Sequence, residues 1–376
     1  MIAAISTAFL LLTGLYLLVL LYLINGWAAL KTPTINLSGF TTRVTVLIAA
    51  RNEEESIHLT IEDILAQNYP KHLTEIIIVD DHSTDSTANI IRSYADRGVK
   101  LLQLNEDKPL NSYKKKAISE AIALSTGELM VATDADCRMG DKWLSTIVGY
   151  FEAEQPVMIS SPVGYFEERS LFERMQSLEF SYLIGVGAAF IGNGRASTCN
   201  GANLAYRKDV FYEVGGFKGI DDLASGDDEL LLQKVALRFP GRIGFTKLKN
   251  AVVYTHAKHN LAGFLQQRRR WASKSTRYKD KKIVALAVGI WLFNISLLIS
   301  AALSFFSYDI FMLFLLQFAL KITFEAWFLL PVMLFFKRPG MVWLIMLVSP
   351  LHVIYLVYIG LISNNSTYLW KGRMVK

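Results

Sequence analysis

Val44-Thr-Val-Leu-Ile-Ala-Ala50 is a run of apolar and β-branched residues that passes directly into Arg51-Asn52-Glu53-Glu54-Glu55-Ser56. A run this short, bounded by polar residues, reads as a buried strand. Three more follow the same plan: Glu75-Ile-Ile-Ile-Val-Asp80, Lys100-Leu-Leu-Gln-Leu104 and Glu128-Leu-Met-Val-Ala-Thr133. Between and after them lie segments of helical length, at about residues 54–66, 84–97, 112–125 and 141–152. Strands alternating with helices predict an α/β unit with parallel strands and helices on both faces. Residues 43–260 are expected to form it. Ligands of such sheets bind beyond the carboxyl ends of the strands, so the polar residues that end these strands are the functional candidates.

Outward from this unit the chain turns apolar. Residues 1–30 carry no charged side chain, and residues 2–24 suffice to cross a bilayer, which takes about 20 apolar residues. The segment lacks the positive start and short apolar core of a signal peptide, so a retained anchor is expected. Residues 283–308 are uncharged, as are 339–370, where 341–362 would span with Pro350 as a kink. Residues 310–336 are apolar except for Lys321 and Glu325. Those two lie four apart, on one helical face where they can pair. They are read either as a structural ion pair or as the border of a path for an acceptor. Four transmembrane helices are expected, one N-terminal and three C-terminal: an anchor at 1–30, an interfacial helix at 261–281, and the remaining spans within 282–364.

Lysine and arginine near the helix ends set the orientation. Lys31, Arg43, Arg268, Arg269, Arg270, Lys274, Lys281 and Lys282 flank the central unit, and Lys337 with Arg338 lies between the last two spans. All are cytoplasmic if the N-terminus is outside and the chain crosses four times. The tail with Lys371, Arg373 and Lys376 then falls outside, against the rule. Of 376 residues 52% are hydrophobic, and the net charge is +6 without a long basic block, so a nucleic-acid partner is not expected. Cys137 and Cys199, the two cysteines, suggest neither a disulfide nor a zinc site and fit a reduced cytosol.

The strand ends carry the chemistry. The second strand ends in Asp80-Asp81-His82-Ser83-Thr84-Asp85-Ser86-Thr87. Asp81, Ser83 and Thr84 could each cap the next helix. Alternatively, an acid here accepts hydrogen bonds from a nucleoside base or ribose. The fourth strand runs into Asp134-Ala135-Asp136. Residues two apart on a strand share a face, and two carboxylates on one side repel unless a cation joins them. Oxygen donors beside phosphates suit Mg²⁺ or Mn²⁺. The small residues of Asn200-Gly201-Ala202-Asn203 and Val214-Gly215-Gly216-Phe217 read as turns or as sites of close backbone approach to a ligand. Ser225-Gly226-Asp227-Asp228-Glu229 opens a helix, so its acids either complement the helix dipole or include a general base. Gln267-Arg268-Arg269-Arg270-Trp271 precedes the second apolar segment, on a helix whose Phe264, Leu265 and Trp271 would dip into the membrane interface. Residues 171–191 read as a second interfacial helix.

Taken in order, these motifs resemble the membrane branch of the inverting family 2 glycosyltransferases with the GT-A fold. The series is A-R-N-E-E, V-D-D-x-S-x-D-x-T, K-x-x-A, D-A-D, G-A-N-x-A-x-R, V-G-G-F, an acidic pair and Q-x-x-R-W, over about residues 43–275. D-x-D with Q-x-x-R-W is as in polysaccharide and chitooligosaccharide synthases. The resemblance implies that Ala49, Arg51 and Glu53 line a nucleotide pocket, with Asp81 near a base or ribose and Lys114 approaching the nucleotide. It gives Asp134 to ribose or metal and Asp136 to a metal, Mg²⁺ or Mn²⁺. Asp228 would deprotonate the acceptor, with Asp227 the alternative because the family's E-D pair reads Asp227-Asp228 here. Gln267, Arg270 and Trp271 would close over the diphosphate and acceptor.

Two departures stand out. Thr255-His256-Ala257-Lys258 replaces the frequent T-E-x-P, and His256 reads as structural or, less simply, as a metal contact. Ser273-Lys274 follows Trp271 where processive members often have R-W-x-x-G, which weakens the case for long polymers. The expected partners are a nucleoside diphosphate sugar, UDP-linked, a lipid or saccharide acceptor, and the cell membrane, with the catalytic domain cytoplasmic. Two rivals stand beside polysaccharide synthesis: a lipid-specific single-sugar transferase, and a non-catalytic membrane scaffold or transporter with a degenerate domain. The acids at 81, 134, 136 and 228 argue against the second.

Overall fold

The computed structural model describes residues 2–106, 110, 112–274, 278, 280–362, 368–370 and 373–375. The four apolar runs form β1 (Val44–Ala50), β2 (Thr74–Asp80), β3 (Val99–Gln103) and β4 (Leu129–Asp134). β1 lies between β2 and β4, and β2 pairs with β3, all in parallel. Ala49 stands opposite both Val79 and Asp134, so these three strands end nearly level. The turn into β4 needs Gly127, since a Cβ there would sit 2.6 Å from the Thr45 nitrogen.

The strands interleave with α2 (Ile57–Leu65), α3 (Thr87–Arg92), α4 (Tyr113–Leu124) and α5 (Trp143–Glu154). α2 shows why such segments fold this way. Ile57, Ile61 and Ile64 recur at helical spacing and are buried. Each contributes about 1.5–3 kcal/mol of burial energy.

The sheet does not stay parallel. Short strands β5 (Arg138–Met139), β6 (Met158–Ser160), β7 (Val163–Tyr165), β8 (Leu204–Arg207), β9 (Ile243–Phe245) and β10 (Val253–Thr255) complete two sheets. Their orders are β3-β2-β1-β4-β8-β6-β9 and β5-β10-β7. β8 is antiparallel to both β4 and β6. Its four residues are too few to show a period, and their direction is set by partners distant in sequence. Helices α7 (Lys208–Glu213) and α8 (Glu229–Arg238) follow β8.

The chain divides into two compact units. One comprises described residues of 29–168, 190–257 and 367–376; the other comprises those of 1–28, 169–189 and 258–366. The second contains α1 (Ile2–Ala29), most of α6 (Leu171–Gly192), α9 (Leu261–Ser273), α10 (Lys281–Leu303), α11 (Tyr308–Phe335) and α12 (Ile345–Ile362). Among the described residues, four helices are long and apolar enough to cross a membrane: Ala3–Ala29, Lys281–Leu303, Tyr308–Phe335 and Pro339–Leu361.

Polar side chains stitch this unit internally. Lys321 and Glu325 are both buried and pair with each other, and Glu325 also accepts from Tyr16 of α1. Gln317, one turn earlier, donates to Thr13 Oγ1 at 3.0 Å and accepts from Ser300 Oγ at 3.0 Å. α6 buries Glu173, Gln176 and Glu179. Residues 363 and 364, counted with the last span, and Lys371 and Lys376 of the tail lie outside the described residues.

Candidate active site

The level ends of β1, β2 and β4 bring Arg51, Asp81 and Asp134 to one edge of the sheet. The Asp81 N–H donates to the Ala50 carbonyl at 2.8 Å, extending the β1–β2 ladder by one residue. Arg51 Nη1 donates to the carbonyls of Asp81 and His82, at 2.8 and 2.7 Å. It braces the loop that leaves β2. The Glu53 N–H donates to Thr87 Oγ1 at 2.8 Å, and Glu53 Oε2 accepts from Ser56 Oγ at 3.2 Å. Ala49 lies within β1, between its neighbours in β2 and β4.

Asp81, Ser83 and Thr84 do not cap α3. Asp85 takes that role: its Oδ1 accepts from the Thr87 N–H at 3.0 Å and its Oδ2 from the Glu54 N–H at 3.2 Å. Ser83 Oγ instead accepts from the Asn52 N–H at 3.0 Å. The helix starts later than expected, and the acid two residues before Thr87 satisfies its first N–H group. The buried Asp81 carboxylate is thereby released for other contacts.

Those contacts come from His82, whose Nδ1 is 3.1 Å from Asp81 Oδ1, and from the tail. Arg373 Nη1 donates to both Asp81 oxygens, at 2.8 and 3.1 Å, and its guanidinium lies 3.8 Å from the centre of the Tyr113 ring. Sequence reasoning put Arg373 on the far side of the membrane. In the structure the contact joins the tail to the end of β2.

Asp134, Asp136 and Cys137 bring ligand atoms within 4.8 Å of one another. Burial, with Asp136 and Asp134 adding to it, pushes the Cys137 thiol well above its ordinary pKa. A hard cation takes oxygen donors over a thiol, so the pair left to it is the two carboxylates, a donor set that suits Mg²⁺ or Mn²⁺. Lys114 Nζ bridges Asp134 Oδ1 at 2.8 Å and Asp227 Oδ2 at 3.2 Å. Burial acts to lower the pKa of this ammonium, but Asp134 and Asp227 outweigh it and hold the pKa above its ordinary value. Asp228 opens α8: its Oδ1 accepts from the Glu229 N–H at 2.6 Å and its Oδ2 from the Gly201 N–H at 3.1 Å. Lys114 thus joins the D-x-D to the acidic pair.

The small-residue motifs resolve differently. Gly201 does approach something closely, and it is Asp228: a Cβ on Gly201 would lie 3.3 Å from the Asp228 Cβ. Asn203 is buried and structural, accepting from Trp143 Nε1 at 3.0 Å and donating to the carbonyls of Pro162 and Ala251 at 2.8 and 2.7 Å. Gly215 and Gly216 form a turn, at φ +72° and +48°. His256 is exposed and packs on the Phe166 ring, with centroids 4.4 Å apart.

Gln267, Arg270 and Trp271 lie on α9, in the unit of apolar helices. There the buried arginine is Arg268. It pairs with Glu179 of α6, donates to Gln267 Oε1 at 2.6 Å, and lies between the rings of Phe264 and Trp271. Lys115, Arg268 and Arg373 went unnoticed as anchors in the sequence. Each differs from neighbouring basic residues only in its surroundings.

A parallel β3-β2-β1-β4 run continued by an antiparallel β8, with an acidic D-x-D ending β4, makes this unit a GT-A fold. Residues 45–215 match Glycosyl transferase family 2, and the chain carries a family 2 glycosyltransferase domain. It is 27% identical over 256 residues to a probable glycosyltransferase, YdaM, of Bacillus subtilis, covering 65% of this chain and 57% of that one. It is 31% identical over 112 residues to a beta-monoglucosyldiacylglycerol synthase of Nostoc, covering 30% of this chain and 24% of the relative. With a poly-beta-1,6-N-acetyl-D-glucosamine synthase of Staphylococcus epidermidis it shares 23% identity over 235 residues, covering 61% and 53%. The chain thus spans less than two thirds of the length of each. Among solved structures, a mannosyltransferase of Pyrobaculum calidifontis in complex with GDP-Man and Mn²⁺ has the same fold. It superposes with a TM-score of 0.64 at 18% identity, covering 94% of this chain and 99% of that one.

Proposed function

We propose that the protein is a membrane enzyme that transfers a sugar, with inversion, from a nucleoside diphosphate sugar to a membrane-associated acceptor. The observation that carries this reading is Lys114 bridging Asp134 of the D-x-D to Asp227, beside Asp228. A strand-end acid and a helix-start acid held on one cation, each with a second acid next to it in the motif, suit a reaction in which a negative diphosphate departs while an acceptor hydroxyl loses a proton. Asp228 takes that proton, with Asp227 the other candidate for the role. Lys114 counters negative charge between the two pairs. Asp81, at the end of β2, receives the base or ribose, and Ala49, Arg51 and Glu53 line the same pocket. Asp136 with Asp134 would hold a Mg²⁺ or Mn²⁺ ion, which when bound neutralises the diphosphate. The resemblance gives Gln267, Arg270 and Trp271 a role toward the diphosphate and acceptor.

The acceptor is a lipid or a saccharide. The synthases of a glycolipid and of a polysaccharide among the relatives support both classes. Ser273-Lys274 after Trp271 favours a lipid or short acceptor. The catalytic unit is cytoplasmic, on the side of the flanking lysines and arginines. The Arg373–Asp81 contact supports a tail on that same side, which also removes the conflict of a basic tail outside.

The test is to incubate the purified protein with radiolabelled nucleotide sugars and membrane lipids, with Mg²⁺ or Mn²⁺ and with excess EDTA. Label is expected in chloroform-extractable or chain product only with the cation, and Asp228→Asn should remove transfer while nucleotide binding persists. Full transfer in EDTA refutes the metal role. Transfer by Asp228→Asn but not by Asp227→Asn reverses the base assignment, and no transfer from any donor refutes the enzyme reading.

A further inference from the structure

Two consecutive lysines at the start of α4 diverge. Lys114 reaches the carboxylates of Asp134 and Asp227. Lys115 is 1% exposed and touches backbone: its Nζ donates to the carbonyls of Ile220 at 2.6 Å, Leu223 at 2.6 Å and Ser225 at 2.7 Å. An ammonium has three N–H donors. All three go to one six-residue segment that ends two residues before Asp227.

That segment forms neither helix nor strand, so no ladder satisfies its carbonyls. Three carbonyl dipoles converging on one point repel one another unless a cation sits among them. Further ties act on the same stretch. Ser112 Oγ donates to the Asp221 carbonyl. Lys234 of α8 donates to the carbonyls of Gly216 and Lys218, at 2.5 and 3.0 Å. Gly226, at φ +88°, then turns the chain into the acidic pair.

We propose that Lys115 is a positioning residue for the acidic pair: by gathering the carbonyls of residues 220, 223 and 225 it sets where Asp227 and Asp228 stand relative to Asp134. The inference rests on the catalytic reading of that pair given above. Lys115 touches neither donor nor acceptor in this account, and its effect is on the rate of transfer.

The ammonium is also close to losing its proton. Burial lowers it to about 8, against Asp227, Asp228, Asp222 and Asp221, which act to raise it. Lys114 and Lys116 are the neighbouring charges on α4 itself. A neutral amine has two N–H groups for three carbonyls and no charge to draw them in. The geometry is therefore intact below this pKa and relaxes above it, so transfer should fall as pH rises through about 8.

Lys115→Met and Lys115→Arg, tested in the full-length protein, separate the possibilities. Lys115→Met is expected to lower kcat by about 10²-fold, the scale of an ångström of misplacement, with the donor KM and UDP binding unchanged. Lys115→Arg keeps its charge at all working pH values, so it should recover part of the rate and shift the alkaline limb upward. Should Lys115→Met fail to fold, the alkaline limbs of the wild type and Lys115→Arg decide alone: identical limbs overturn the proposal. Wild-type kcat in Lys115→Met, or equal losses in kcat and UDP affinity, also overturn it. Asp228→Asn run alongside separates the two readings. If it is inactive while Lys115→Met is unimpaired, only the positioning role fails. If both Asp228→Asn and Asp227→Asn turn over fully, the catalytic reading of the pair fails.

Discussion

Replacing Arg268 by methionine should destabilise the unit of apolar helices by about 4 kcal/mol, within the range for removing one partner of a buried ion pair. The side chains of Arg268 and Glu179 are 1% and 8% exposed. Arg268 Nε donates to Glu179 Oε1 and Oε2 at 3.0 and 3.2 Å, and Nη2 donates to Oε2 as well. The guanidinium centre lies 4.5 Å from the Phe264 ring centroid and 4.3 Å from that of Trp271. An exposed pair of the same chemistry contributes only about 0–1 kcal/mol. Here methionine fills part of the volume but leaves the Glu179 carboxylate buried without its cation, and the cost follows from that charge.

The check is unfolding in mixed micelles against rising SDS, followed by tryptophan fluorescence. The transition containing Trp271 is compared among wild type, Arg268→Met and the double variant Arg268→Met/Glu179→Leu. The double variant should regain most of the loss, since replacing a whole buried pair with apolar residues is often neutral or stabilising. A single variant within about 1 kcal/mol of wild type would mean that solvent reaches the pair. A double variant as unstable as the single would mean that packing, not charge, sets the cost. Either result refutes the reasoning.

Lys321→Met with Glu325→Leu removes both charges of the buried pair in α11 and should leave a folded protein, whereas Glu325→Leu alone, which strands the Lys321 ammonium, should cost about 3–5 kcal/mol in the same assay. A folded double variant with full transfer means that the pair is structural; a folded but inactive one means that it borders the acceptor path. For the tail, a fluorescent protein fused after Lys376 should fluoresce, and a phosphatase fused there should be inactive, because both report a cytoplasmic C-terminus. The opposite pattern would refute the Arg373–Asp81 contact in the membrane.

The D-x-D was legible because it directly follows an apolar run that reads as a strand; β4 ends at Asp134, and it is the turn after it, not strand alternation, that brings Asp136 beside Asp134. Lys114 came from the resemblance, the acidic pair was already a candidate as the acids of a helix start, and the Lys114 bridge from the D-x-D to that pair was not foreseeable from either motif. Arg268 illustrates the opposite case. Three arginines run from 268 to 270, and nothing in their order says which one is buried. The partner that decides it, Glu179, is 89 residues away on α6.

By itself the sequence determined the properties that depend on neighbours along the chain. These are the runs that form β1 to β4, the helices between them, the apolar segments long enough to cross a bilayer, and the acids that end the strands. Tertiary structure alone decided the rest. It reversed β8 in the sheet, gave the capping of α3 to Asp85, turned Asn203 into a structural hub and brought Arg373 to Asp81. It also spent the donors of Lys115 on carbonyls more than a hundred residues away. The physical reason is common to all of these. Periodicity and hydropathy report local free energies, while a buried charge or a short strand takes its role from whichever groups the fold brings within hydrogen-bonding distance.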